Sequence, residues 1–234
     1  MKTFYAALSL LLATSASLPA QAAEMPNRIT ASYAIFKMGQ QVGEAKEDWQ
    51  RKGKTYTLVS ETRATGVFAW FTKGSVKLVS RGRVTADGLQ PLHFEHWRGN
   101  DPKRVVSADF DWNKHLLTLK HDGQTTTEPL PANLQDRISM MYQFMFMPHN
   151  KDVVTLQHTN GKSIITQKFN HAGLEKTMTG AGEMTVLHYS RRPEKDSKRS
   201  DFWLAPGKLF FPVRVEIEEK DGMLEQVLTR LTIK

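Results

Sequence analysis

The sequence predicts a mainly β protein: a single curled antiparallel sheet or incomplete barrel of about a dozen strands, with one buried helix near 133–147. Three observations lead there. Most segments of the 234-residue chain alternate apolar and polar side chains with period two, the signature of strands with one wet face. Turn pairs such as Asp87-Gly88, Asp122-Gly123 and Asn160-Gly161 separate those segments at short intervals. One stretch abandons the period: from Ile138 to Met147 only Ser139 and Gln143 are polar, so a helix there has no face fit for water and must be buried.

The chain begins with Lys2, an apolar run after Phe4, and the small-residue pattern Ala20-Gln21-Ala22. This predicts a signal peptide over 1–22, cleaved before Ala23, and a mature chain over 23–234 that is periplasmic or secreted from a bacterium. An apolar run of about 10 to 13 residues is too short for a membrane anchor, so no transmembrane segment is expected after processing. There is no cysteine, which excludes disulfides, a thiolate nucleophile, cysteine-ligated metal and a lipidated N-terminal cysteine. The formal charge of +8 is spread among segments carrying both signs, a pattern that keeps a protein soluble. No nucleic-acid partner is expected, since no helix-turn-helix, finger or aromatic RNA-binding signature occurs.

In order, 28–37 alternates Ile29, Ala31, Tyr33 and Ile35 with Thr30, Ser32 and Ala34, and Gly39 turns it into 42–51. A turn at Lys52-Gly53-Lys54 leads to 55–65. A compact apolar knot over 66–71 follows, with Phe68, Trp70 and Phe71, and reads either as core or as the lip of a cavity. Strands are expected over 75–85, 92–98, 104–112 and 115–121. Asp122-Gly123 supplies a further turn, and a connection flanked by Pro129 and Pro131 enters the helix. Asn133 is placed to cap that helix, with Asp136 and Arg137 in its first turn and Pro148 stopping it. Strands over 153–158 and 163–170 flank Asn160-Gly161, and 174–191 alternates around a break at Gly180-Ala181-Gly182. A charged run over 191–199 reads as a solvated loop. Strands over 201–205, 212–220 and 223–233 close the chain. No composition shift divides the mature chain, so one β-rich domain is expected.

No motif carries catalysis. His93 and His96 are three apart in a strand, which sends them to opposite faces. Gly-x-Ser-x-Gly is missing, and Gly161-Lys162-Ser163 lacks the first glycine of a phosphate loop because Leu156 stands there. Neither a catalytic residue, a metal site nor a cofactor is assigned, and an enzyme acting on envelope polysaccharide or lipid is the least supported reading. The clustered methionines are more informative: flexible thioethers fill irregular cores and also line pockets for varied apolar ligands.

Several stretches together resemble a known family: Tyr33-Ala34-Ile35-Phe36 with Val42-Gly43-Glu44-Ala45, then 60–66, Gly88-Leu89-Gln90-Pro91, and Gln135-Asp136-Arg137-Ile138-Ser139. Phe202-Trp203-Leu204-Ala205-Pro206 followed by Pro212-Val213-Arg214-Val215-Glu216 completes the set. The chain resembles the uncharacterised exported bacterial proteins of domain of unknown function 3108 over nearly its whole mature length. The last pattern is also similar to periplasmic lipoprotein carriers and related sigma-factor regulators, which implies a curled sheet holding helices over an apolar cavity. The expected function is a periplasmic binding or chaperone-like module for a lipid or amphipathic envelope molecule. The expected ligand contacts are Phe68, Trp70, Phe71, Met141, Met145 and Phe146. The alternative is a protein-interaction module of envelope assembly that offers an exposed sheet edge to a partner strand.

Overall fold

Strand β1 (Arg28–Lys37) shows how the sheet is made: Ile29, Ala31, Tyr33 and Ile35 turn to the core and their neighbours outward. The computed structural model describes residues 25–66, 69, 74–99, 101–191 and 198–234; the expected signal peptide and the aromatic residues Phe68, Trp70 and Phe71 lie outside them. From β1 the chain meanders through β2 (Gln40–Lys52), β3 (Thr55–Ala64), β4 (Val76–Thr85), β5 (Gly88–Arg98), β6 (Val106–Asp111), β7 (Leu116–His121) and β8 (Gln124–Pro129). Each strand pairs antiparallel with the one before it.

The remainder starts at β9 (Gln135–Asp136) and the helix α1 (Ser139–Gln143), which tightens into a 3-10 turn over Phe144–Phe146. It continues through β10 (Val153–Thr159), β11 (Ile164–Thr179), β12 (Gly182–Arg191), β13 (Ser200–Ala205), β14 (Phe211–Glu219) and β15 (Gly222–Ile233). The last strand pairs antiparallel with β1, joining both ends of the chain at the centre of one 15-stranded sheet. Its ends are β8 and β9, and only β9 and β10 run parallel. The mainly β expectation holds, as a large open sheet that curls without closing into a barrel.

Register shifts that leave an extra residue on β2 (Val42), β5 (Leu92), β11 (Ala172), β14 (Val213) and β15 (Thr229) bend the strands. The curl brings the turn at Gly161 against Phe94 and Val106, on strands far away in sheet order. Side chains bridge the gap that the backbone ladder leaves. Gln135 Nε2 donates to the carbonyl of Leu89 at 2.8 Å, the amide of Leu89 donates to Gln143 Oε1 at 2.8 Å, and Ser80 Oγ donates to Asp136 Oδ2.

The helix lies within the predicted window but is shorter. Asn133, expected at its start, stands in a left-handed conformation (φ 60°) ahead of β9, and Gln135 and Asp136 pair with His158 and Thr159. Asp136 takes over the capping: its Oδ1 accepts from the amides of Ile138 at 3.0 Å and Ser139 at 2.8 Å. The segment then divides its apolar side chains between two cores. Ile138 and Tyr142 join the cluster of Trp49, Tyr56, Phe94 and Leu117, with Tyr142 stacked on Trp49. Met140 and Phe144 join Phe169, Tyr189 and Phe202 on the other half. A helix without a polar side is thus buried by both arms of the sheet.

The sequence places a hairpin turn at Asp122-Gly123 without bounding a strand after it, and it does not separate β9 from the helix. β8 carries no aliphatic or aromatic side chain (Gln-Thr-Thr-Thr-Glu-Pro) and is largely exposed at the sheet end, so no buried face imprints a period on it. β9 is the polar pair Gln135–Asp136, which falls inside the 133–147 window expected as helix.

Candidate functional site

The curl forms a partly open cavity of about 540 Å³, within the size range of small-ligand pockets. Strands β1 to β5 and β10 to β15 contribute side chains to its lining. The apolar wall is built by Ile35, Leu78, Ile165, Val215, Ile217 and Leu224, and α1 with its approach supplies Ile138, Met140 and Met141. Of the expected ligand contacts, Met141 lies in this wall. Met145 and Phe146 pack against the first core instead. A second hollow, of about 590 Å³ beside β1 to β3, is lined by charged side chains of both signs, including Lys46, Asp48, Lys52 and Glu61.

The charged side chains in the cavity lining are mostly cationic. Arg137 is among its lining residues and exposed to solvent, and its side chain makes no hydrogen bond or ion pair with any described residue. Burial and the nearby Arg98 guanidinium pull its pKa down from the usual arginine range, against an opposing pull from Glu219. Its sequence neighbour Asp136 does not pair with it, because that carboxylate is spent on Ser80 and the helix amides. Burial pushes Asp136 up to about 6 despite those donors. Arg191 and Lys198 also line the cavity without an ion pair among the described residues, whereas Arg199 is paired with Asp201.

Two histidines complete this side. His96 on β5 and His158 on β10 are buried, and each is lowered to about 4, first by burial and next by the Arg137 charge. Both are therefore neutral near pH 7. His96 Nε2 accepts from Arg98 Nε at 3.4 Å, while His158 Nδ1 is buried with no partner. The hydroxyl of Ser200, also in the lining, has none either.

Glu47 is the one carboxyl group among the described lining residues. It sits on β2 in phase with Ala45 and Trp49 and accepts from Tyr142 Oη at 3.1 Å and Ser60 Oγ at 3.4 Å. Burial raises it to about 7, the two hydroxyl donors pulling the other way. Glu47, His96 and His158 were missed in the sequence reading. A signal existed: each stands at the inward phase of its strand, beside Ala45 and Trp49, Phe94, or Val154 and Leu156.

No group of three or more histidine, aspartate or glutamate side chains is arranged to hold a metal ion among the described residues. No helix among them is long and apolar enough to cross a membrane.

Comparison with known proteins supports the fold. The chain is similar to a β-barrel-like protein of domain of unknown function DUF1849 from Brucella abortus, with a TM-score of 0.57 and 11% identity over 90% of this chain and 99% of that one. At that identity the likeness concerns architecture only. Weaker matches are a "putative lipoprotein" from Parabacteroides distasonis (TM-score 0.37, 13% identity, covering 89% and 97%) and a "putative exported protein" from Bacteroides fragilis (TM-score 0.36, 15% identity, covering 89% and 96%). No curated protein matches this sequence. The model of a family described as protein of unknown function (DUF3108) matches residues 28–229, almost all of the β domain, and the chain belongs to that family.

Proposed function

We propose that this protein is a periplasmic binding module that holds one amphipathic envelope molecule, such as a lipid or a lipidated segment, inside the curled sheet. The observation that carries the reading is the 540 Å³ cavity, which joins an aliphatic and methionine wall to a polar side. The compartment follows from the leader expected over 1–22. Apolar tails gain roughly 0.8 kcal/mol for each methylene buried, so even a short chain is worth enclosing.

Native mass spectrometry of protein released gently from the periplasm, followed by solvent extraction, tests the proposal. The expected result is an amphiphile at about one per chain. Met141→Lys should abolish its retention while circular dichroism stays unchanged, because an ammonium on the apolar wall would lack a partner at a cost of several kcal/mol. Recovery of no amphiphile, together with an unmoved melting temperature across a panel of single-chain and double-chain lipids, refutes it. A strand-adding partner is the second reading. It is favoured by β8, an exposed terminal strand with one neighbour in the sheet. A protein that co-purifies and is lost on deleting 124–129 would support that reading.

A further inference from the structure

The cavity's charge is unbalanced in a way that packing does not require. Arg137, Arg191 and Lys198 line it without an ion pair among the described residues, and the one described lining carboxyl, Glu47, is taken up by Tyr142 and Ser60. Arg98 adds a second guanidinium near Arg137. Arg137 is exposed to water and makes no ion pair with a described carboxylate, so its guanidinium donors are free to take an incoming oxygen. Two buried atoms are also idle in the same lining: His158 Nδ1, on a side chain 6% exposed, and Ser200 Oγ, on a residue 4% exposed. A buried polar atom with no partner is rare enough to need a reason. Bound ligand oxygen would answer both anomalies.

Resting on the amphiphile reading above, we propose that the ligand of this cavity carries an anionic oxygen head, a carboxylate or a phosphate, which binds the guanidinium of Arg137 beside His158 while its tail lies along Ile138, Met141 and Leu224. A guanidinium offers paired N–H donors at the spacing of two oxygens of such a head, a match that an ammonium lacks. A neutral His158 supplies either a donor to that oxygen or an acceptor to a protonated one. The helix start explains why Arg137 is available. Asp136, the obvious partner, turns its carboxylate back onto the amides of Ile138 and Ser139 and onto Ser80, so the next side chain along is left to face the lumen.

The test titrates delipidated full-length mature protein with four probes by calorimetry: dodecanoate, dodecyl phosphate, neutral monododecanoylglycerol and inorganic phosphate. Dodecanoate and dodecyl phosphate should bind roughly ten- to a hundredfold more tightly than the neutral lipid, the range expected of one charge-assisted contact. Arg137→Gln should erase that preference while the variant still binds the neutral lipid, and Arg137→Lys should restore part of it. The lysine variant and retention of the neutral lipid both guard against a folding defect. Equal binding of charged and neutral lipids, or an anion preference that survives Arg137→Gln, overturns the anionic head while leaving the amphiphile reading intact. Inorganic phosphate binding as tightly as dodecyl phosphate overturns the lipid source in favour of free phosphate. Binding of none of the four probes refutes the amphiphile reading itself.

Discussion

Glu47 is a carboxyl group where the alternation of β2 calls for an apolar side chain, and its environment sets a clear pH dependence. Its folded pKa of about 7 lies above the ordinary 4.5, so between those values the folded state holds a proton that the unfolded chain has released. The stability it contributes is therefore complete below about 4.5 and is lost as pH rises toward 7. Glu47→Gln keeps an acceptor for the Tyr142 hydroxyl and removes the titration. The variant should match the parent near pH 4.5 and exceed it at pH 8 by an amount on the order of 2 kcal/mol, water in the cavity limiting the gain. Urea unfolding at the two pH values checks this, and equal differences at both would show that Glu47 does not titrate in that window.

At the scale of the element, α1 is too short to stand alone, since a helix of one or two turns cannot recover its nucleation cost. It is held by side-chain bonds to a strand edge, above all Gln143, whose Oε1 accepts from the Leu89 amide and whose Nε2 donates to the Asp87 carbonyl at 3.0 Å. The turn beneath it needs a glycine. Gly88 has φ 112°, and a Cβ there would fall 2.3 Å from the Gln143 amide. Gly88→Ala should therefore both strain the backbone and lever the helix off, costing about 2 to 4 kcal/mol. Part of that penalty should vanish in a Gln143→Ala background, because the two positions share one contact. Additive costs in the double mutant would mean that the turn alone is responsible.

At the scale of the molecule, the sheet is joined in its middle by the strands farthest apart in sequence. Ile29 pairs with Ile233, and the two arms spread outward from β1 and β15. Such non-local pairing makes folding slow and makes the C-terminal strand indispensable. A chain lacking residues 222–234 strips β1 and β14 of their shared neighbour at once. It should show no sigmoidal thermal transition, and a cooperative transition near that of the intact chain would contradict this account. The cavity belongs to the same scale: His96 and His158 lie on strands from opposite arms, and only the curl puts both beside Arg137.

What the sequence determined by itself was whatever is written in local periods. Alternation and turn pairs specified a mainly β chain, most strand positions, the turn at Asn160-Gly161 and a buried apolar stretch after Ile138. Those features depend on neighbours two to four residues away, which the sequence displays directly. Only the tertiary structure decided that β8 is a strand, since a polar terminal strand has no buried face to mark it. It also decided that Asn133 to Asp136 leave the helix, because pairing of Gln135 and Asp136 with His158 and Thr159 and the bond from Ser80 to Asp136 outweigh local helical preference. The polar side of the cavity was legible at most as charged or histidine residues at inward strand positions. Their assembly around an unpaired arginine depends on contacts between residues far apart along the chain, and no local period records those.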